Sequence, residues 1–393
     1  MKKKRVGFFS GLDFVTFITA LIGSCYGLAL VYSATYSTLK NGAIIASGVK
    51  SMLISTLGGI IFALIVCNID YEIISKLWPI VAAGCIGLMV ITLLFGKAVN
   101  PDRPDAKSWL DLGVFYFQTS ELLKVGFIIS FSYHLDMVKD KLNRVKTIIP
   151  LVIHGMIPIG LVLLTGDAGS ALIFLVMFIG MLFFAKVNIG YFVEGICALV
   201  VGFTAAWKFN IISGVQRERI TALFYPEQYK DVLYQQTNGK IALGSGGWIG
   251  EGYLVEFNFI CRRICLHVSM TQSGSVPVNE SDMILTVAGE ELGYIGALAV
   301  IIILAVLIIR VMTTGLKARD NVGYLMGSGI SVMLFAQMFV NIGMELSILP
   351  SIGITLPLFS AGGSSSLCIY LALGIEMSVY RFSKPQTNAL FYK

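Results

Sequence analysis

Charged residues are scarce in this 393-residue sequence. Only 13% of its residues are Asp, Glu, Lys or Arg, whereas soluble domains average about 25%. A soluble chain of this length would carry more charge on its surface, and a disordered chain would not contain 56% hydrophobic residues. The scarcity of charge therefore excludes an ordinary soluble enzyme and a disordered protein.

Cysteines outside the apolar runs are few, and a signal-peptide cleavage site is missing. Most of the seven cysteines lie inside apolar runs, where a thiol behaves as a small hydrophobe, which excludes a disulfide-stapled secreted module. Cys261 and Cys265 lie in a polar region near His267 and form a weak metal-ligand pattern. The first apolar run follows the basic residues 2–5 but lacks a small-residue cleavage site, so it predicts an uncleaved membrane span.

Long apolar runs take up most of the chain instead. A helix needs about 20 apolar residues to cross a bilayer. On that rule the sequence predicts ten spans, and the fold class is an all-α polytopic membrane protein forming a single domain over 1–393. The spans are 12–34, 46–69, 76–95, 121–137, 147–165, 169–186, 190–208, 283–310, 323–348 and 362–380. Only the polar corner 165–167 separates the fifth from the sixth, so one long interrupted element is the alternative there.

The distribution of Lys and Arg predicts the orientation. Basic residues concentrate in cytoplasmic loops of membrane proteins. Here they gather in the segments that a cytoplasmic N-terminus would place inside, so both termini are predicted to be cytoplasmic. These segments include 2–5, 139–146, 310–319 and 381–393. The net charge of +6 then reflects topology and not a nucleic-acid partner. Two long segments, 96–120 and the large loop 209–282 before the eighth span, face outward.

Ionisable residues inside a membrane are costly and point to function by default. Glu121 and Lys124 open the fourth span three residues apart, where they can pair. The alternative to a functional role is a self-neutralising structural pair. Asp167 lies at the outer edge of the membrane, where it could cap the next helix or act on a substrate. Glu345 lies near the outer end of the ninth span.

The region 209–296 holds the densest polar chemistry. Residues 216–219 (QRER) form a charged cluster, and the Gly-dense segment 244–252 could approach a phosphate or sugar, or could simply turn. Asp282 precedes the eighth span, where an N-cap is the alternative to a functional carboxylate. Glu290 and Glu291 follow about two turns inside the span. From the residues alone, a transporter and an enzyme acting on a lipid-linked or extracellular substrate both remain open.

Motifs spread along nearly the whole chain resemble the SEDS family (shape, elongation, division and sporulation proteins), most closely its rod-shape branch. They occur in family order: LVYSA at 30–34, IDY at 69–71, WLDLG at 109–113, FQTSELLK at 117–124, GDAGSA at 166–171, QRERI at 216–220, IALGSGG at 241–247, the segment 282–296, NIGM at 341–344 and LPLFSAGGSS at 356–365.

This resemblance implies a ten-helix protein of the bacterial plasma membrane that acts as a peptidoglycan glycosyltransferase. Its substrate would be lipid II, a disaccharide-peptide on undecaprenyl pyrophosphate, and its partner a class B penicillin-binding protein. Rival roles are a lipid II flippase and a non-catalytic scaffold. The resemblance does not separate elongation, division and sporulation.

The family's outer-loop catalytic aspartate aligns with Asp282. A carboxylate there could act as general base or hold a divalent cation, Mg or Mn, and no organic cofactor is expected. The leaving pyrophosphate needs positive charge. Candidate substrate-binding residues are Arg217, Arg219, Lys240, Lys107, Glu121, Lys124, Asp167 and Ser364, the last of which opens the tenth span among small residues.

The sequence also departs from the family pattern. Thr119 replaces the usual Pro of the fourth-span motif, and Val278, Glu280 and Ser281 replace the usual residues before the catalytic Asp. The stretch 255–269 is about a dozen residues longer than the family pattern. It is apolar and basic, and is read as an insertion, a partner contact or an anomaly close to Asp282.

Overall fold

The computed structural model describes residues 11–36, 45–98, 106–111, 113, 116–254 and 269–383. The basic termini, nearly all of the unusual stretch 255–269, and the Cys261, Cys265 and His267 pattern lie outside these ranges.

The described residues form thirteen α-helices and one small antiparallel sheet, joined by loops and short 3-10 helices. The helices are α1 (Phe14–Tyr36), α2 (Ser47–Val66), α3 (Tyr71–Lys76), α4 (Trp78–Phe95), α5 (Thr119–Met137), α6 (Val145–Leu164), α7 (Ala168–Phe184), α8 (Ile189–Lys208), α9 (Gly214–Phe224), α10 (Tyr234–Ser245), α11 (Ile284–Leu316), α12 (Asn321–Glu345) and α13 (Gly363–Ser383). Strand β1 (Trp109–Asp111) pairs with β2 (Tyr116–Gln118), so that Trp109 faces Gln118. Short 3-10 helices span Lys139–Lys141 and Pro226–Gln228.

The predicted all-α class is confirmed, and each of the ten predicted spans coincides with one helix: α1, α2, α4, α5, α6, α7, α8, α11, α12 and α13. Seven of these are long and apolar enough to cross a membrane, namely α1, α2, α4, α6, α8, α11 and α12. Helix α7 is apolar but shorter. The chain is therefore a multi-pass membrane protein, while ten crossings remain a prediction.

The polar corner between the fifth and sixth spans separates two helices. Helix α6 ends at Leu164, Gly166 adopts a left-handed φ of 78°, and α7 starts at Ala168. The two helices pack against each other. The alternative of one long interrupted element is therefore not what the chain forms.

Close helix packing holds the centre of the bundle. A Cβ added to Gly374 of α13 would lie 2.7 Å from the Cα of Ala63 in α2, so only hydrogen at that position allows this contact. Helices α5, α12 and α13 bury most of their residues, whereas α8 buries none. The centre is thus compactly packed, and α8 stands at its periphery.

The chain direction brings many of the helix ends to one end of the bundle, here called the Asp282 end. Helices α5, α7, α11 and α13 begin there, and α1 and α12 finish there. Helices α9 and α10, the β1–β2 sheet and the segment 346–362 lie at the same end. The opposite end carries the connections 138–144, 185–188 and 317–320.

Candidate functional site

Asp282 lies between the last turn of the large loop and the start of α11. The Ser281 hydroxyl donates a 2.9 Å hydrogen bond to Asp282 Oδ1. The Asn341 side-chain amide of α12 donates to the Asp282 backbone carbonyl at 2.9 Å. Gly353, with a φ of 73°, passes so near that an added Cβ would lie 3.3 Å from Asp282 Oδ2. The Asp282 backbone is thus held by α12, and its carboxylate lies against the segment 346–362.

A different carboxylate caps α11. Glu345, at the end of α12, accepts hydrogen bonds from the backbone N–H of Leu285 at 3.2 Å and of Thr286 at 2.8 Å, and from the Thr286 hydroxyl at 2.9 Å. Helix α11 begins at Ile284, its N-cap residue is Met283, and no side chain at that cap position bonds to it. Asp282 therefore does not cap α11: it lies one residue before the N-cap Met283, and Glu345 binds the N–H groups of the second and third residues of the helix.

The surroundings of Asp282 raise the pKa of its carboxyl group to about 6. Burial is the largest cause, because removal from water penalises the charged form. Glu280 and Asp167 also raise the pKa by like-charge repulsion, while the Ser281 hydrogen bond and the charge of Arg219 lower it. The carboxyl group therefore changes charge about one unit below neutral pH, in the range suited to a general base.

The four predicted cations fall into different surroundings. Arg219 of α9 acts electrostatically on Asp282, and its Nη1 donates to the Ser351 carbonyl at 2.6 Å. Arg217, two residues earlier, lies 4.8 Å over the Trp207 ring and donates to the Trp207 carbonyl and to Asn210 Oδ1, at the end of α8. Lys240 on α10 and Lys107 before β1 are exposed. Arg219 is therefore the cation that the structure brings to Asp282.

Asp167 and Ser364 meet through Gln118, at the end of β2. Asp167 caps α7 by accepting from the Ser170 N–H at 2.9 Å and the Ser170 hydroxyl at 2.7 Å. The Gln118 side chain donates to Asp167 Oδ2 at 2.8 Å, and the Gln118 N–H donates to Ser364 Oγ at 2.9 Å. Asp167 therefore caps α7, which is one of the two roles predicted for it. Because Asp167 also acts electrostatically on Asp282, it belongs to the same polar site.

Glu121 and Lys124 form the predicted pair. Lys124 Nζ lies 2.8 Å from Glu121 Oε1, and the two residues are 2% and 5% exposed. Both lie in the first two turns of α5, directly after β2. The pair is therefore buried in the bundle, and a role in substrate binding stays a prediction.

Glu290 and Glu291 hold the large loop to the bundle. Glu290 accepts from the N–H groups of Met270 at 2.5 Å and Thr271 at 2.9 Å. Glu291 accepts from the Ser33 hydroxyl of α1 at 2.5 Å and from Gln272 at 3.2 Å. Both carboxylates thus bind protein groups that fix the chain just before Asp282.

The Gly-dense segment 244–252 packs its backbone into a break of α11. Gly293 has a non-helical φ of 69° there. The Glu251 N–H donates to the Glu290 carbonyl at 2.9 Å, and the Tyr294 N–H donates to the Gly247 carbonyl at 2.8 Å. A Cβ on Gly246 would lie 2.0 Å from the Gly289 carbonyl oxygen. These contacts favour the turn interpretation of the segment over a phosphate cradle.

An apolar cleft of about 920 Å³ leads from the helices to this polar site. It runs between α6, α7 and the peripheral α8, and reaches α9 and the segment 350–352. Its walls include Phe178, Phe192, Leu199 and Phe203, and Arg219 lines it at the Asp282 end. The cleft thus joins an apolar volume at membrane depth to the cation beside Asp282.

Several site residues could not be singled out from the sequence as such. The sequence shows Glu345 as an ionisable residue in a span, but its capping role needs a contact between α12 and α11. Gln118 and Asn341 lie inside family motifs, but nothing in the sequence marks these two positions as part of the site. For Gly353 the only sequence signal is that it is a glycine. Their roles depend on segments that are distant in sequence.

Fold and site together define a multi-pass membrane protein with a partly buried carboxylate site at one end of its helical bundle, facing an apolar cleft. A sequence profile described as cell cycle protein, FtsW/RodA/SpoVE, matches residues 13–385. The chain belongs to this family.

Relatives and solved structures agree with that assignment. The chain is 30% identical to the probable peptidoglycan glycosyltransferase FtsW of Geobacter sp. strain M18, over 94% of this chain and 96% of the relative. It is 30% identical to the peptidoglycan glycosyltransferase MrdB of Escherichia coli strain K12, over 90% and 91%. A chain from a structure described as a peptidoglycan synthase complex matches with a TM-score of 0.74 at 22% identity, covering 95% and 98%. The rod shape determining protein RodA of Thermus thermophilus matches with a TM-score of 0.66 at 20% identity, covering 94% and 97%. The two structures support the fold.

Proposed function

We propose that this protein is a peptidoglycan glycosyltransferase that polymerises lipid II at the outer face of the plasma membrane of a walled bacterium. The observation that carries the proposal is the position of Asp282. Its carboxylate does not cap α11 and lies near the end of an apolar cleft. The positive charge of Arg219 acts on it and lowers its pKa. The names of the FtsW and MrdB relatives support the same activity.

Glycan extension needs a base beside an incoming hydroxyl group. The acceptor 4-hydroxyl attacks the anomeric carbon of the donor sugar, the new glycosidic bond forms, and the bond to the pyrophosphate oxygen breaks. The Asp282 carboxylate accepts the proton that the hydroxyl loses. A pKa of about 6 leaves most of the carboxylate ionised at neutral pH while keeping it basic enough to take a proton.

The lipid part of the substrate fits the apolar cleft. A polyprenyl chain is purely apolar and would lie between α6, α7 and α8, where burial of apolar surface favours it. The pyrophosphate at its end would then reach Arg219, whose charge stabilises the leaving group as the sugar bond breaks. Lys240 and Lys107, exposed at the same end, remain candidates for the sugar-peptide portion.

A divalent cation, Mg or Mn, would have few protein ligands here. Among the residues that the structure describes, no three His, Cys, Asp or Glu side chains come together as a metal site. Mg²⁺ commonly binds through one or two carboxylates together with substrate phosphates and water, so Asp282 could hold it in that manner. A bound cation would neutralise the pyrophosphate charge.

A class B penicillin-binding protein is the proposed partner. A polymerase makes glycan strands but no crosslinks, so a transpeptidase must act on its product. The match to a chain from a peptidoglycan synthase complex is in keeping with such a partner.

The rival flippase role would depend on intramembrane ionisable residues. The set is Glu121, Lys124, Asp167, Glu290 and Glu345. In this structure Glu121 and Lys124 pair with each other, while Asp167, Glu290 and Glu345 accept hydrogen bonds from backbone N–H groups. These internal partners favour a structural role for the set, and so favour the enzyme.

Reconstitution tests the proposal. Purified protein is incubated with lipid II, Mg²⁺ or Mn²⁺ and its cognate transpeptidase, and glycan polymer is scored by gel electrophoresis. Polymer is the expected product. Transfer of lipid II across vesicle membranes without any polymer would instead support the flippase.

A further inference from the structure

A basic pocket lies at the opposite end of the bundle from Asp282, outside the site described above. It has a volume of about 430 Å³ and lies between the α5–α6 and α7–α8 connections. Four basic side chains and one acidic side chain line it: Lys139, Lys141, Arg144, Lys186 and Asp140. The lining therefore carries three net positive charges.

Hydrogen bonds fix the two connections that form this basic pocket. The Asn188 N–H donates to Asn143 Oδ1 at 2.8 Å, and the Tyr191 hydroxyl donates to the Asn143 carbonyl at 3.1 Å. These bonds join the α5–α6 connection to the start of α8. The pocket is thus a built feature and not a chance approach of two loops.

Lys186 stands where the backbone favours glycine. It follows α7 with a left-handed φ of 62°, its N–H donates to the Phe183 carbonyl, and the Val187 N–H donates to the Leu182 carbonyl. Helices that end in this way usually have Gly at that position, since a side chain there is strained. The strained residue is one of the pocket's cations.

Most of the pocket's positive charge has no internal partner. Lys139 pairs with Asp136 at 3.1 Å. Within the described ranges no ion pair is formed by Lys141, Arg144 or Lys186. Beside them, Val145 and Ile189 expose 62% and 70% of their surface. A ligand that complements both features carries phosphate and acyl chains together.

We propose that this basic pocket binds the phosphate of an anionic phospholipid, with the acyl chains lying over Val145 and Ile189. Basic pockets between helix ends at a membrane surface suit such headgroups. Val145 and Ile189 begin the membrane-spanning helices α6 and α8, so bilayer acyl chains lie against them and the phosphate of such a lipid is the anion nearest to the cations.

Native mass spectrometry of the full-length protein tests the proposal by counting retained lipid. Protein from nanodiscs of phosphatidylglycerol is compared with protein from nanodiscs of phosphatidylcholine, and with protein given inorganic phosphate. We expect retained phosphatidylglycerol and little retention of the other two. The triple variant Lys141→Gln, Arg144→Gln, Lys186→Gly should weaken retention about 100-fold, at about fivefold for each cation.

Two further variants separate lipid binding from folding and from total charge. Lys186→Gly alone removes one cation and relieves the left-handed backbone, so it should fold as well as wild type and retain lipid about fivefold more weakly. The double variant Lys76→Gln, Lys317→Gln removes two exposed cations that do not line the pocket, and it should retain lipid normally. Equal retention by wild type and the triple variant, or equal binding of inorganic phosphate, would overturn the proposal.

Discussion

The buried pair of Glu121 and Lys124 gives a quantitative prediction. The two groups lie 2.8 Å apart, each is at most 5% exposed, and both sit in α5. Removing one partner leaves the other charge buried without compensation, which typically costs about 3–5 kcal/mol, whereas replacing both by uncharged side chains of similar volume is close to neutral. Glu121→Gln and Lys124→Met should therefore each destabilise the protein more than the double variant does.

The difference should be large enough to measure by thermal unfolding in detergent. With an unfolding entropy of about 2 cal/mol/K per residue, a loss of about 4 kcal/mol lowers the midpoint of a chain this long by roughly 5 °C. Size-exclusion chromatography of heated samples gives the midpoints of wild type, both single variants and the double variant. If the double variant loses as much as the two single variants added together, the charges do not stabilise each other and the reasoning fails.

Three other predictions follow from the site and the topology. Because burial raises the pKa of Asp282 to about 6, the rate of glycan polymerisation should fall as the pH drops through about 6, as the base becomes protonated; a flat rate from pH 5 to 8 would argue against it. Arg219→Gln should slow polymerisation and move that pH midpoint upward, because Arg219 lowers the pKa of Asp282. Arg217→Gln should have a smaller effect on both, because Arg217 lies over Trp207. Lys230 is exposed in the large loop, so a Lys230→Cys variant of a protein without its native cysteines should react with a membrane-impermeant thiol reagent in intact cells. Reaction only after lysis would reverse the predicted orientation.

The helices could be predicted from the sequence because each depends on a local property. An apolar run of about 20 residues in a chain with little charge has few alternatives to a helix in a membrane. The shortest polar interruption, 165–167, leaves one long element as an alternative, and there the chain forms two helices. Asp282 could be singled out because it sits in a family motif.

The support of the site could not be predicted in the same way. Glu345 reaches the α11 amides only because α11 and α12 pack side by side, a contact between residues 59 and 60 positions apart. Gln118 similarly joins Asp167 and Ser364 across 49 and 246 positions. The apolar cleft exists because α8 stands away from the other helices, although its sequence is as apolar as theirs. Such features arise from tertiary packing and cannot be predicted from the local sequence.

The measurement that tests the account most directly is lipid II polymerisation by the Asp282→Asn variant. Asn has nearly the same size and can still accept the Ser281 hydrogen bond, and α11 stays capped by Glu345. The variant should therefore fold, enter the membrane and bind its transpeptidase as wild type does, yet make no glycan polymer. A well-folded Asp282→Asn protein that polymerises lipid II at the wild-type rate would contradict the account, because Asp282 could not then be the base.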